Sequence, residues 1–300
     1  MRSIKTNNKN QNMENNSPNL QDILNITRSI AWGAADILRS YYRGTSNNGD
    51  LEVQEDKKDG PVTAADVAAN HYILERLQKE LPIADFGYLS EETYKGTEPL
   101  PQEWVWIIDP LDGTRDFIDK TGEYAVHIAL TRQGRPVLAV VAVPEAEKIY
   151  SAIKGGGTFV ETRLGEVKSI HVSERNTLEE LYLVASRTHR DERFQKLLNQ
   201  MSFKARNYVG SVGCKISTIL EQQSDVYISL SGKSAPKDWD FAAPELILTE
   251  AGGNFTYFNG DPVLYNQGDV RKWGGLMSSN GCCHEALCKS AIEILEKIDN

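Results

Sequence analysis

The stretch Trp106-Ile107-Ile108-Asp109-Pro110-Leu111-Asp112-Gly113-Thr114 carries an apolar run straight into two carboxylates three positions apart. Pro110 fixes its own φ and keeps Asp109 extended. The chain can then fold back so that Asp109, the Leu111 carbonyl and Asp112 face one point. Gly113 has no side chain, so its N–H can approach a ligand closely. A helix starting just after it turns the N–H groups of Gly113 and Thr114 into a phosphate site. Hard oxygen ligands of this kind suit Mg²⁺. The same letters also describe a plain turn with a capping Asp, so the reading depends on the rest of the chain.

Three other acidic stretches bear on it. Leu89-Ser90-Glu91-Glu92 follows the apolar Phe86, Tyr88 and Leu89, which places Glu91 at a strand end; as a bare pair, adjacent acids are a solvated surface feature. Trp239-Asp240 precedes Phe241-Ala242-Ala243-Pro244-Glu245, with Gly252-Gly253 beyond. Pro244 fits a helix first turn and the glycines fit its end. Asp240 then stands at a helix N-terminus, where an N-cap role is a sufficient structural explanation. Thr63-Ala64-Ala65-Asp66 has the spacing of a capping box with Asp in place of Glu.

Outward from these stretches, the pattern divides into two halves. Residues 1–18 form an Asn-rich segment without an apolar core, read as a disordered tail and neither a secretory signal nor a transit peptide. Apolar residues three or four apart predict a helix from Leu20 to about Tyr42. Gly44 to Gly60 is polar, with turn signals at Asn47-Asn48-Gly49 and Asp59-Gly60, and predicts a mobile hairpin or loop. A second helix is expected from near Thr63 to Leu81, stopped by Pro82. Short apolar runs at 105–108, 125–131, 136–143 and 149–153 predict strands of one sheet, ended by Gly155-Gly156-Gly157. This gives an α+β half over 19–157. Over 158–300 strands and helices alternate: strands near 181–185, 208 and 225–230, helices at 192–200, 215–222, after Trp239 and from Glu285, and a hairpin turn at Asn259-Gly260. Such alternation is an α/β signature.

Composition narrows the class. With 33 basic and 42 acidic residues the formal charge is −9, against non-specific binding to nucleic acid or an anionic membrane. An acidic protein repels a phosphate unless bound cations reverse the local sign. Cys214, Cys282, Cys283 and Cys288 show no Cys-x-x-Cys spacing and read as thiols of a reducing compartment. No stretch approaches the roughly 20 apolar residues of a membrane span. A cytoplasmic enzyme is expected. Competing motifs fail: an EF-hand read from Asp109 or Asp112 lacks its Gly, Gly232-Lys233-Ser234 lacks the upstream Gly of a P-loop, and the five histidines show no zinc spacing.

Taken in order, Asp66, Glu91-Glu92, Asp109–Thr114, Trp239-Asp240 and Gly252-Gly253 resemble the inositol monophosphatase superfamily of lithium-sensitive phosphatases over about residues 20–295. The resemblance implies a five-layered αβαβα sandwich, two or three Mg²⁺ ions per site and inhibition by Li⁺. It implies that Glu91, Asp109 and the Leu111 carbonyl hold a first metal and that Asp109, Asp112 and Asp240 hold a second. Thr114, oriented by Asp66, would help take the proton of the attacking water. Glu91, Asp66 and Thr114 are therefore the expected catalytic residues.

Within the superfamily, the second half resembles the 3′(2′),5′-bisphosphate nucleotidases. Ser186-Arg187-Thr188-His189 is similar to their nucleotide-contacting segment, and Gly210-Ser211-Val212-Gly213-Cys214-Lys215 to their loop for the second phosphate. Lys237-Asp238-Trp239-Asp240 with Ala243-Pro244-Glu245 follows their pattern too. Tyr227-Ile228-Ser229-Leu230 lacks the Glu that inositol enzymes place ahead of Trp-Asp, and it also lacks an Arg found in some nucleotidases. The resemblance makes Gly113, Thr114, His189, Ser211, Lys215 and Asp240 substrate contacts, although His189 and Lys215 also fit a surface pair. The expected substrate is a small phosphate monoester, an adenosine bisphosphate converted to AMP and phosphate. An inositol or sugar-phosphate phosphatase is the nearest alternative. A non-catalytic Mg²⁺ and nucleotide-binding regulator is disfavoured by the presence of all five acids and Thr114.

Overall fold

A computed structural model describes residues 18–45, 53–56, 60–81, 85–188 and 191–300. Nearly all of the Asn-rich tail, the Asn47-Asn48-Gly49 signal, Asp59, Pro82 and His189 lie outside the described residues.

Helix α1 (Leu20–Tyr42) is capped by Asn19, whose side-chain oxygen accepts from the Gln21 N–H at 3.0 Å. Strands β1 (Val53–Asp56) and β2 (Gly60–Thr63) pair antiparallel and lead into helix α2 (Ala64–Glu80). A seven-stranded sheet follows in the order β3 (Phe86–Ser90), β4 (Trp104–Asp112), β5 (Ala125–Arg132), β6 (Arg135–Val143), β7 (Lys148–Ile153), β8 (Thr158–Thr162) and β9 (Val167–Ile170). The short helix α3 (Thr114–Ile118) interrupts it between β4 and β5.

The sheet runs past the boundary expected at 157. Gly155 to Gly157 is a turn inside it, between β7 and β8, and the N–H groups of Gly155 and Gly157 donate to the Glu250 carboxylate at 2.8 and 2.9 Å. Glycines bend the chain for an antiparallel return as readily as they end a unit, and here they join two neighbouring strands of the sheet.

The second sheet has the order β11 (Ala205–Val209), β10 (Tyr182–Ser186), β12 (Val226–Leu230), β14 (Gly275–Ser279), β13 (Asn254–Tyr257). Helices α4 (Glu192–Gln200), α5 (Val212–Leu220), α6 (Asp238–Glu250) and α7 (His284–Asp299) complete the chain. Helix α5 starts at Val212, ahead of the expected Lys215, because Ser211 caps it by accepting from the Cys214 N–H at 3.1 Å. The Asn259-Gly260 turn is not a direct hairpin between strands. It closes locally, Tyr257 N–H to the Asp261 carbonyl at 2.9 Å, and irregular chain follows before β14.

Three hydrophobic cores separate five layers. Trp106, Ile108, Val126 and Ile128 face α1 and α2 in one core. Val105, Ile107 and Ala129, on the opposite face of the same strands, pack with α5, α6 and one face of the second sheet. Leu183, Val226, Ile228 and Met277 face α4 and α7. The alternation follows from the two-residue period of a strand, and a sheet covered on both faces reads as a nearly continuous apolar run. The result is the αβαβα sandwich. Its middle helical layer brings the N-termini of α5 and α6 to the end of β4.

Candidate active site

The carboxyl end of β4 is where the ladder breaks. Asp109 pairs with His127 and Asp112 with Ala125, and the register shifts between them. Pro110 cannot donate to a ladder, so the strand bulges there. Asp109 Oδ1 accepts from the Leu111 N–H at 3.0 Å and closes the bend. Asp109 and Asp112 end up buried, with a carboxylate oxygen of each within 4.8 Å of the other. Gly113 follows with φ +91°, and a Cβ there would meet the Glu123 carbonyl at 2.9 Å, so both conformation and space call for glycine.

Asp240 arrives from the other half of the chain. It occupies the third position of α6, not the N-cap, which is Lys237; its carboxylate accepts from the Lys237 N–H at 2.6 Å. Pro244 lies further inside the helix than a first-turn position, and the helix ends in a glycine cap, with Gly253 N–H bonded to the Leu248 carbonyl at 3.0 Å and Gly252 N–H to Thr249 at 3.1 Å.

One carboxylate oxygen from each of Asp109, Asp112 and Asp240 lies within 4.8 Å of the others. Among the described residues no other set of three acids, histidines or cysteines converges so closely. Glu91 stands beside this group. Its N–H donates to the Ile108 carbonyl at 3.2 Å, which sets it next to Asp109 across the β3–β4 pair.

Burial and mutual repulsion raise most of these acids. Burial first, then Asp240, pushes Glu91 up to about 8. Burial and Asp112 push Asp240 to about 6. Asp109 is held well above the usual carboxylate range by burial and by Glu91, Asp112 and Asp240. Glu92 rises to about 7, again chiefly through burial. Such a cluster of hard oxygen donors is strained by its own charge and is relieved by a cation, so the residues fit Mg²⁺.

Asp112 behaves oppositely. Burial raises it, but His127, Lys215 and Ser211 outweigh burial and hold its carboxyl below the usual range. Its Oδ2 accepts from the Ser211 hydroxyl and from the Gly213 N–H at 2.8 Å, and His127 Nε2 lies 3.2 Å away. Ser211, expected to touch substrate, has its hydroxyl on Asp112.

Lys215 is not a surface residue. It is 3% exposed, donates to the Gly210 carbonyl and lies 5.1 Å from the Tyr227 ring centroid. Burial lowers its pKa despite Asp112 nearby. The ammonium therefore sits beneath the 210–213 turn. That turn is tied to the first half by Glu123, which accepts from the Gly210 N–H and from Arg187, both at 2.6 Å.

Thr114 and Asp66 meet as expected. Thr114 Oγ1 lies 3.1 Å from Asp66 Oδ1 and 3.2 Å from the Leu111 carbonyl. Asp66 also completes the capping box of α2, its Oδ2 accepting from the Thr63 N–H at 2.8 Å. The capping and site roles thus coexist on separate oxygens. The residue missed from sequence is His127. Its signal was a lone histidine in the otherwise apolar β5, which the search for zinc spacings passed over.

Buried carboxylates converging beside a hydroxyl–carboxylate pair, on this five-layered frame, are the site of a phosphoric monoester hydrolase. The model of the inositol monophosphatase family matches residues 19–296, and the chain belongs to that family, whose members depend on Mg²⁺. It is 35% identical over 238 residues to the 3′(2′),5′-bisphosphate nucleotidase CysQ of Salmonella typhimurium, covering 79% of this chain and 91% of that one. It is 30% identical over 249 residues to CysQ of Haemophilus influenzae, covering 82% and 88%. An IMPase from Thermotoga maritima superposes with a TM-score of 0.74 at 25% identity, over 92% of this chain and 99% of that one. The suhB protein of Bartonella henselae gives 0.75 at 24% identity, over 90% and 98%, which speaks to the fold. Among the described residues no helix is long and apolar enough to cross a membrane.

Proposed function

We propose that this chain is a 3′(2′),5′-bisphosphate nucleotidase that removes the 3′-phosphate of 3′-phosphoadenosine 5′-phosphate, leaving AMP. The observation that carries the phosphatase chemistry is the convergence of Asp109, Asp112 and Asp240 beside the Thr114–Asp66 pair. The nucleotide assignment is supported by the similarity to the CysQ proteins and by β12, which offers no acid over Val226–Leu230 to hold an inositol hydroxyl.

Glu91, Asp109 and the Leu111 carbonyl would hold one Mg²⁺, and Asp109, Asp112 and Asp240 another. When bound, the metal supplies a Lewis acid that activates water and stabilises the leaving oxygen. The chain's own work is to hold and move a proton. The Thr114 hydroxyl, anchored on Asp66 Oδ1, takes the proton of the attacking water while its own passes to Asp66. Asp66 suits that role because burial raises it above an ordinary Asp, even with Thr63 and Thr114 donating to it. Gly113 and Thr114 bind the transferred phosphate, and Asp240 contacts the leaving sugar oxygen. Ser211 and Lys215 act indirectly, by supporting the 210–213 turn and the Asp112 carboxylate. His189 is proposed as a nucleotide contact from its sequence context.

A phosphate-release assay with Mg²⁺ tests the reading. The bisphosphonucleotide should be preferred over inositol 1-phosphate at least tenfold in kcat/KM, and the reverse preference would overturn the nucleotide assignment. Li⁺ should inhibit where K⁺ at equal concentration does not.

A further inference from the structure

We propose that His127 is a positioning residue that sets the spacing of the three site carboxylates. The inference rests on reading those acids as metal ligands and is independent of the nucleotide assignment. The imidazole is fully buried on β5. It stands directly opposite Asp109 in the β4–β5 ladder. Its Nε2 lies 3.2 Å from Asp112 Oδ2, and its Nδ1 lies 3.2 Å from the carbonyl of Trp239, the residue before Asp240. One rigid ring therefore adjoins the backbone or side chain of every member of the group.

The arrangement answers a definite mechanical need. Asp109 and Asp112 belong to β4, whereas Asp240 belongs to α6, an element more than a hundred residues later. Two buried acids and a half-buried one repel one another once ionised, and that repulsion opposes close approach of α6 to β4. A link between β5 and the first turn of α6 opposes that separation. Mg²⁺ demands near-octahedral oxygen ligands at about 2.0–2.1 Å, so small errors in this spacing weaken binding.

The surroundings are shaped to the ring. A Cβ at Gly213 would lie 2.5 Å from His127 Nε2 and 2.7 Å from the Ala125 Cβ. The N–H of Gly213 donates to the same Asp112 oxygen that the ring approaches. Close packing on one side, the Nδ1 hydrogen bond to Trp239 and the approach of Nε2 to Asp112 leave the imidazole few rotamers.

The test compares wild type with His127→Leu, His127→Gln and Ile128→Ala. The last is a core control on the same strand, with its side chain in the core that faces α1 and α2. Mg²⁺ binding is measured by calorimetry on the full chain, alongside melting temperature and the dependence of kcat on Mg²⁺. The positioning role predicts that His127→Leu weakens Mg²⁺ binding about tenfold or more, and that His127→Gln, which keeps one polar contact, weakens it less. Ile128→Ala should lower the melting temperature yet bind Mg²⁺ as wild type does. If His127→Leu does not fold, the comparison of His127→Gln with Ile128→Ala decides. Affinity within twofold of wild type in the folded His127 variants, or an equal loss in Ile128→Ala, would overturn the inference. Failure of the wild type itself to bind Mg²⁺ would overturn the metal-ligand reading and this inference with it.

Discussion

Thr114 Oγ1 donates to Asp66 Oδ1 across 3.1 Å, joining the first residue of α3 to the third residue of α2 over 48 positions of sequence. The other oxygen of Asp66 is occupied by Thr63, through both its N–H and its hydroxyl. One carboxylate therefore holds a helix start with one oxygen and the Thr114 hydroxyl with the other.

That division makes Asp66→Asn informative. The amide oxygen can still accept from the Thr63 N–H, and loss of a cap costs about 0.5–2 kcal/mol at most. The amide nitrogen facing Thr114 can only donate, so the hydroxyl proton has nowhere to go. Turnover should fall by about 10²-fold or more, with a small change in melting temperature. Parallel losses of both would return Asp66 to a capping role alone.

Asp109→Asn and Asp112→Asn should both abolish turnover and weaken Mg²⁺ binding, yet act oppositely on the metal-free fold. Asp109 is pushed toward its neutral form, which Asn imitates, so its variant should melt at or above the wild-type temperature. Asp112 is held ionised and accepts charge-assisted bonds from Ser211 and Gly213. Such bonds contribute about 1.5–3 kcal/mol, so Asp112→Asn should melt lower. Calorimetric scans without metal discriminate, and a stabilised Asp112→Asn would contradict the network around α5.

Mg²⁺ should stabilise the protein more at pH 8 than at pH 6. Glu91 and Asp240 are raised to about 8 and about 6 in the folded, metal-free chain. A raised acid binds more protons folded than unfolded. Its contribution to stability is fully present below the unfolded value, near 4, and declines as pH rises through the folded one. Metal binding requires the deprotonated forms and reverses the trend. Melting curves with and without Mg²⁺ at several pH values measure this, and a shift independent of pH would refute it.

Lys215→Met should impair the enzyme toward every substrate, not the bisphosphate alone. The sequence reading had Lys215 contact a second phosphate directly, which predicts a selective loss. The side chain is instead buried under the 210–213 turn, bonded to the Gly210 carbonyl. Its removal leaves that carbonyl unpaired and Asp112 and Asp116 less compensated. Comparable losses of kcat/KM on a nucleotide and on inositol 1-phosphate, with a lower melting temperature, are expected. A loss confined to the bisphosphate would restore direct contact.

Sequence alone determined most helices, the central strands and which acids to look at, for local reasons. The spacing of apolar residues marks α1, the start signal at Thr63 marks α2, short apolar runs mark β4 and β5, and Asp109-Pro110-Leu111-Asp112-Gly113 marks a bulged strand end because proline cannot donate and glycine can take positive φ. What only tertiary structure decided is how the acids differ. Asp109 and Asp112, three positions apart in one motif, are driven in opposite directions because His127, the capped N-terminus of α5 and Lys215 all face Asp112, whereas Asp109 faces the other acids. His127 joins the site for the same reason. Its partners lie on β4 and α6, and desolvation together with through-space charge depends on what packs around a group, which no local pattern records.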